Sequence, residues 1–149
     1  MSKILLKIIA QDHLVSEIEV DKISLQTVNG QITILPNHIP LVAELKSGEA
    51  IIFNNDQQEL MSIAGGFVEV GNNRVLVLAD RVERAEEIDL DRAQEAYERA
   101  QQRILELKDK DNVEYVNWTA QLEKELSRLK IARKHRRSHS HGSDTPIIH

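Results

Sequence analysis

The sequence predicts an all-β N-terminal antiparallel sandwich followed by a C-terminal α-helical hairpin, and three observations carry that prediction. Five of the six glycines, with Pro36 and Pro40, precede Asp80, and neither residue type returns until Gly142. Short apolar runs bounded by turn residues fill the first part at hairpin spacing. Beyond Ile88 the apolar residues recur every three or four positions, the period of an amphipathic helix. Charge divides at the same place. Residues 1–87 carry seven basic and 13 acidic side chains, a net of −6, whereas residues 88–149 carry 12 and 11, a net of +1. The boundary therefore falls between Asp80 and Ile88, giving a sandwich over 1–84, a hairpin over 88–137 and a disordered tail over 138–149.

Each strand has its own signal. Ile4–Ala10 is an apolar run suited to a strand buried on much of both faces. Ile18–Asp21 and Ile23–Val28 alternate with period two, and Asn29-Gly30 follows as a hairpin turn, because both residues tolerate positive φ. Ile32–Leu35 returns from it. Lys46–Glu49, Asn54–Gln57 and Gly71–Asn73 mark further turns, with strands expected at Ala50–Phe53, Leu60–Ala64, Phe67–Val70 and Val75–Ala79. Gly65-Gly66 reads as a bulge or kink within one long strand. Eight to ten strands with no helix between them favour an antiparallel sandwich over a parallel α/β sheet.

The helices follow. Ala93, Ala96, Tyr97, Ala100, Ile104 and Leu107 define one small-residue face, with Asp89 or Asp91 as the cap. Lys108–Asn112 contains no apolar residue and reads as the connection. Tyr115, Trp118, Leu122, Leu126 and Leu129 resume the period, so two antiparallel helices are expected.

Composition excludes several function classes. The chain has 149 residues, a net charge of −5 and no cysteine, which rules out disulfides and thiolate chemistry. Five aromatic residues (Phe53, Phe67, Tyr97, Tyr115 and Trp118) are too few for a base-stacking platform, so no nucleic-acid partner is expected. No apolar run approaches the roughly 18 residues of a membrane span, and Met1–Ala10 does not read as a signal peptide. No phosphate-binding loop, nucleophile elbow or zinc-protease motif occurs, so no catalytic residue is nominated. His135, His139 and His141 lack a supporting shell and read as a polar tail, with no metal assigned.

Two segments carry more. Pro36 and Pro40 flank Asn37-His38 and force a rigid loop after Ile34-Leu35. The plainer reading of His38 is a side chain capping its own loop. The second is Ile88-Asp-Leu-Asp-Arg-Ala93 at a helix mouth, with Arg99 two turns on and Glu83 upstream. Free N–H groups and arginines attract phosphate there, while the plainer reading is a capping aspartate among solvated arginines.

Taken in order, Asn29–Leu41, Lys46-Ser-Gly48, Gly65–Val70, Val77–Asp80 and Ile88-Asp-x-x-Arg-Ala93 resemble the epsilon subunit of F-type ATP synthases over residues 1–134. The resemblance implies a non-catalytic rotor subunit whose partners are the gamma subunit, the c-ring and the alpha/beta hexamer. It would lie on the cytoplasmic face of a bacterial inner membrane, or its organelle-encoded equivalent, attached only through the complex. It nominates Gln31, Asn37 and His38 as c-ring contacts. It also nominates Asp89, Arg92 and Ala93, with Glu83 and Arg99, as a regulatory ATP site, no cofactor being required. The hairpin would switch between a folded form and one extended along gamma that obstructs hydrolysis. Lys124, Arg128, Lys130, Arg133 and Lys134 would then present a basic face to the catalytic hexamer. Two other classes compete: a free-standing adaptor with a dimerising helix pair, and an RNA-binding basic tail.

Overall fold

The computed structural model describes residues 2–107 and 112–142, with side chains described to residue 137. Two compact units divide the chain at Arg84/Ala85. The first holds ten strands: β1 (Ile4–Ala10), β2 (His13–Val20), β3 (Lys22–Thr27), β4 (Gly30–Ile34), β5 (Leu41–Leu45), β6 (Gly48–Asn54), β7 (Gln57–Ile63), β8 (Gly66–Gly71), β9 (Arg74–Ala79) and β10 (Val82–Arg84). Their hydrogen-bonded order is β10-β7-β6-β3-β5-β8-β9-β1-β2, with β4 on β3. Eight of these nine links in the path and branch are antiparallel, and β1 with β9 is the parallel exception. The sheet folds over because β3 changes partner along its length. Lys22–Ser24 pair with β6, whereas Thr27 pairs with Leu45 of β5.

The core is aliphatic, as the scarcity of aromatic residues demands. Ile4, Leu6 and Ile8 of β1 lie against Ile23, Leu25, Ile34, Met61, Val68 and Val77, all essentially inaccessible. Along β1 buried positions alternate with half-buried ones, so the strand is covered wholly on one face and in part on the other.

Three tight turns share one chemistry. Gln11-Asp12, Asn55-Asp56 and Asn72-Asn73 each join paired strands through two residues, all with φ between 45° and 66°. Such turns match the twist of the strands they join, and Asn and Asp tolerate the left-handed region best after glycine.

The structure corrects four expectations. The hairpin near Asn29-Gly30 exists, but Thr27 pairs with Gly30, so Val28-Asn29 form its loop and Gly30 alone takes positive φ (117°). The Thr27 hydroxyl stabilises this arrangement by donating to Gly30 O at 2.7 Å and accepting from Asn29 N at 3.2 Å. Gly65-Gly66 is not a kink in one strand. β7 bonds to β6 and β10 whereas β8 bonds to β5 and β9, so the glycines carry the chain between different parts of the sheet. Gly66 has φ +114°, and a Cβ there would fall 2.1 Å from Leu78 O. Two strands, β5 and β10, have no signal in the sequence.

The second unit contains a 3₁₀ turn (Ala85–Glu87), α1 (Leu90–Glu106) and α2 (Val113–Gly142). Arg103 Nη2 donates to Glu114 Oε1 at 3.0 Å and Arg133 Nη2 to Gln94 Oε1 at 2.9 Å. These contacts join the end of α1 to the start of α2, and the reverse, which makes the pair antiparallel. The fourth correction concerns the end. α2 continues through residues 138–142, where a disordered tail was expected, since nothing before Gly142 opposes a helix already nucleated upstream. Residues 143–149 of the expected tail, and residues 108–111 of the expected polar connection, lie outside the described residues.

Candidate functional site

The Pro36–His38 loop is a built structure. His38 N donates to Leu35 O at 3.2 Å, with Pro36 and Asn37 between them, and Asn37 takes φ 62°. This is the type II turn that proline first and asparagine second favour. The His38 ring adds a bond from Nδ1 to Ile39 O at 2.7 Å. A carbonyl only accepts, so Nδ1 carries the proton of this bond. The plain role foreseen for His38, tying down its own loop, is present.

Asn73 contributes a link that has no signature in the sequence. Its Oδ1 accepts from Asn37 N at 2.9 Å and its Nδ2 donates to Lys3 O at 2.8 Å. Gln31 sits elsewhere, exposed at the opening of β4, paired with Gln26. An extended segment of about 15–20 Å lies between Gln31 and His38, so only a partner surface running along β4 would meet both.

At the mouth of α1, Asp89 is the cap (φ −76°, ψ 108°) and Oδ1 accepts from Arg92 N at 3.2 Å. Asp89 O accepts from Ala93 N at 3.0 Å, and Oδ2 lies 3.7 Å from Arg92 Nε. The Arg92 side chain is 85% exposed, whereas Ala93 is fully buried. Ala93 therefore acts through close packing. Arg99 lies on the same helical face two turns, about 10 Å, further on. It borders a cleft of about 330 Å³ between the helices, lined also by Ala96, Asn117, Trp118 and Gln121. An arginine, an indole and two amides form a set able to hold a planar polar ligand. The α2 side of this cleft is not visible in the sequence, because Asn117 and Gln121 are ordinary surface residues until the helices pair. Glu83 belongs to β10, in the first unit, while the other four nominated residues belong to the second.

The five basic residues of α2 do not share one face. At about 100° per residue, Lys130, Arg133 and Lys134 fall on one arc, all exposed. Lys124 and Arg128 are half-buried on the other side. Arg128 is engaged there: its Nη1 donates to Glu125 Oε2 at 2.6 Å, and Glu125 is 3% exposed. At the other end of the hairpin, Arg103 is held above its usual pKa by hydrogen bonds to Glu114 and then Glu106, so it stays charged at any relevant pH.

Comparison with known proteins assigns this architecture. The family model for the ATP synthase delta/epsilon chain β-sandwich domain matches residues 3–85, and that for the delta/epsilon long α-helix domain matches residues 86–133. The ATP synthase epsilon chain of Nitratidesulfovibrio vulgaris is 37% identical over 85% of this chain and 92% of its own length. That of Chloroflexus aurantiacus is 38% identical over 88% and 93%. Among solved structures, a chain of the Euglena gracilis mitochondrial ATP synthase (OSCP/F1/c-ring) superposes with a TM-score of 0.75 at 23% identity, over 84% of this chain and 78% of that one. At that identity the superposition establishes a common fold. Two domain models in sequence order and relatives above 30% identity over nearly their full lengths establish more: the chain belongs to the delta/epsilon chain family of ATP synthases.

Proposed function

We propose that this chain is the central-stalk epsilon subunit of a rotary ATP synthase, docked on gamma and on the c-ring, with the helical hairpin acting as a mobile brake on ATP hydrolysis. The observation that carries the reading is the match of both units, in order, to the two domains of one stalk subunit. Chains of the same fold belong to an OSCP/F1/c-ring assembly in Euglena and to a central stalk/c-ring structure in Tetrahymena thermophila. The subunit is non-catalytic and reaches the membrane through its partners. No helix among the described residues is long and apolar enough to cross a bilayer.

Three parts take different tasks. The Pro36–His38 turn, stiffened by its internal bonds, meets the ring with Asn37 and His38, and Gln31 extends the contact along β4. The exposed arc of Lys130, Arg133 and Lys134 meets acidic loops of the hexamer when the hairpin extends. ATP binds the folded hairpin through Asp89, Arg92 and Arg99, close packing being allowed by Ala93. Bound at a hundred times its dissociation constant, such a ligand shifts the folded–extended balance by about 2.7 kcal/mol.

Extraction of membranes and affinity purification of the full chain tests the assignment. Recovery of gamma, alpha, beta and c subunits in fixed proportion is expected. A chain recovered alone, or as a homodimer, supports the free-standing adaptor instead.

A further inference from the structure

The geometry points to Asn73 as the positioning residue of the ring-docking turn, an inference that rests on the proposed contact of Asn37 and His38 with the ring. The Asn73 carboxamide faces the backbone N–H of Asn37 on one side and the carbonyl of Lys3 on the other, at 2.9 and 2.8 Å. Reversing the amide would set donor against donor and acceptor against acceptor, so its orientation is determined. The Asn73 main chain adds a third tie, accepting from Leu5 N at 3.2 Å. One residue of the β8–β9 turn therefore fastens the start of β1 and the Pro36–His38 turn together.

This bond matters because of where it falls. Asn37 is in the left-handed region, and its N–H is the donor within the turn that Asn73 captures. A non-glycine residue held at positive φ keeps that conformation only when its surroundings determine it. Asn73 is itself left-handed (φ 58°), held so by the two-residue β8–β9 turn. The rigidity of that hairpin is thus passed to an exposed turn whose other hydrogen bonds, among the described residues, are its own. A preorganised loop loses less conformational freedom on docking, so the bond acts on affinity although Asn73 itself need not touch the ring.

The variant that isolates this role is Asn73→Gly, which keeps the left-handed turn and removes the carboxamide. Asn73→Asp retains an acceptor for Asn37 N–H while replacing the donor to Lys3 O. Amide exchange is measured on the full chain, and affinity on the complex depleted of this chain and then reconstituted. Asn73→Gly is expected to speed exchange of the Asn37 amide about five-fold, the worth of one such hydrogen bond, leaving Val75 and Val77 unchanged. Affinity for the complex falls by a similar factor, and Asn73→Asp restores Asn37 protection. Unchanged exchange at Asn37 in the glycine variant overturns the positioning role. Faster exchange with undiminished affinity overturns it too if His38→Ala still weakens binding. If neither Asn73→Gly nor His38→Ala alters binding, the ring contact itself is wrong, and the inference falls with it.

Discussion

Arg128 holds the carboxylate of Glu125 one turn away on α2, at 2.6 Å, with Glu125 almost wholly withdrawn from solvent. Gln121 Nε2 donates to the other carboxylate oxygen at 2.7 Å, so the buried charge is fully engaged. Among the described residues of the same helix, Leu129, Ile131 and Ala132 are the buried apolar side chains. Burying an ion pair seldom adds stability relative to a neutral group of the same shape, but removing one partner leaves a stranded charge.

Arg128→Ala therefore destabilises the hairpin by roughly 2–4 kcal/mol, the lower part of the range reflecting the partial exposure of Arg128. Glu125→Gln keeps the shape and removes the charge, but its amide nitrogen must face one of the two donors, Arg128 Nη1 or Gln121 Nε2, so a smaller loss of about 1–2 kcal/mol is expected. Thermal melts followed at helical wavelengths check both. Equal losses from the two variants would show that the pair itself, and not the stranded carboxylate, carries the effect.

Asp89 caps α1, and a separable role in binding nucleotide is proposed for it. As the cap of α1 it is worth about 1 kcal/mol, lost in Asp89→Ala and retained in Asp89→Asn, since asparagine caps as well. If the carboxylate also binds nucleotide, titration calorimetry with ATP shows weaker binding in both variants, while the melting temperature falls only in the alanine variant. Binding that follows stability alone assigns Asp89 to capping only.

Two glycines with similar φ give forecasts that differ in degree. Gly30 (φ +117°) has open space within 4 Å of where a Cβ would stand, so Gly30→Ala costs only backbone strain, about 1–2 kcal/mol. Gly66→Ala adds a collision with Leu78 O and the β9 main chain, and loss of soluble folded protein is expected. Urea denaturation of the two variants compares them directly.

Arg84 ends β10 and joins strands at both extremes of the sheet order. It is paired with Glu59 of β7, and its Nη2 donates to Val15 O of β2 at 3.4 Å. Arg84→Met keeps much of the stem and removes these bonds, with an expected cost of about 1–2 kcal/mol. The β2 edge opens first, as faster amide exchange along Val15–Ile18 than along β1. Uniform acceleration over both strands would mean that Arg84 does not act locally.

How much of this is legible in the sequence follows from the range over which each feature is specified. Turns such as Asn55-Asp56 and Asn72-Asn73 announce themselves because positive φ selects asparagine and aspartate within two residues. The helices show through the spacing of Ala93 and Ala100, both fully buried. The parallel pairing of β1 with β9 spans most of the unit and has no local signal. β10 is three residues long, too short for any periodicity, and β5 begins directly beside Pro40, where a loop is the natural expectation. A charge count suggests one basic face, but position around the helix decides it, which is why Arg128 leaves the exposed set. Asn73 is invisible for the same reason, its partners being 36 and 70 residues away.

The proposed brake places the restraint on hydrolysis in the hairpin and not in the sandwich. The most direct measurement is ATP hydrolysis by the purified complex carrying either the full chain or a chain ending at Glu87, which retains the whole of the ten-stranded unit. A several-fold rise on truncation, with the complex still assembled, is the predicted result. Equal rates with equal assembly would contradict the brake and leave the sandwich as the subunit's only working part.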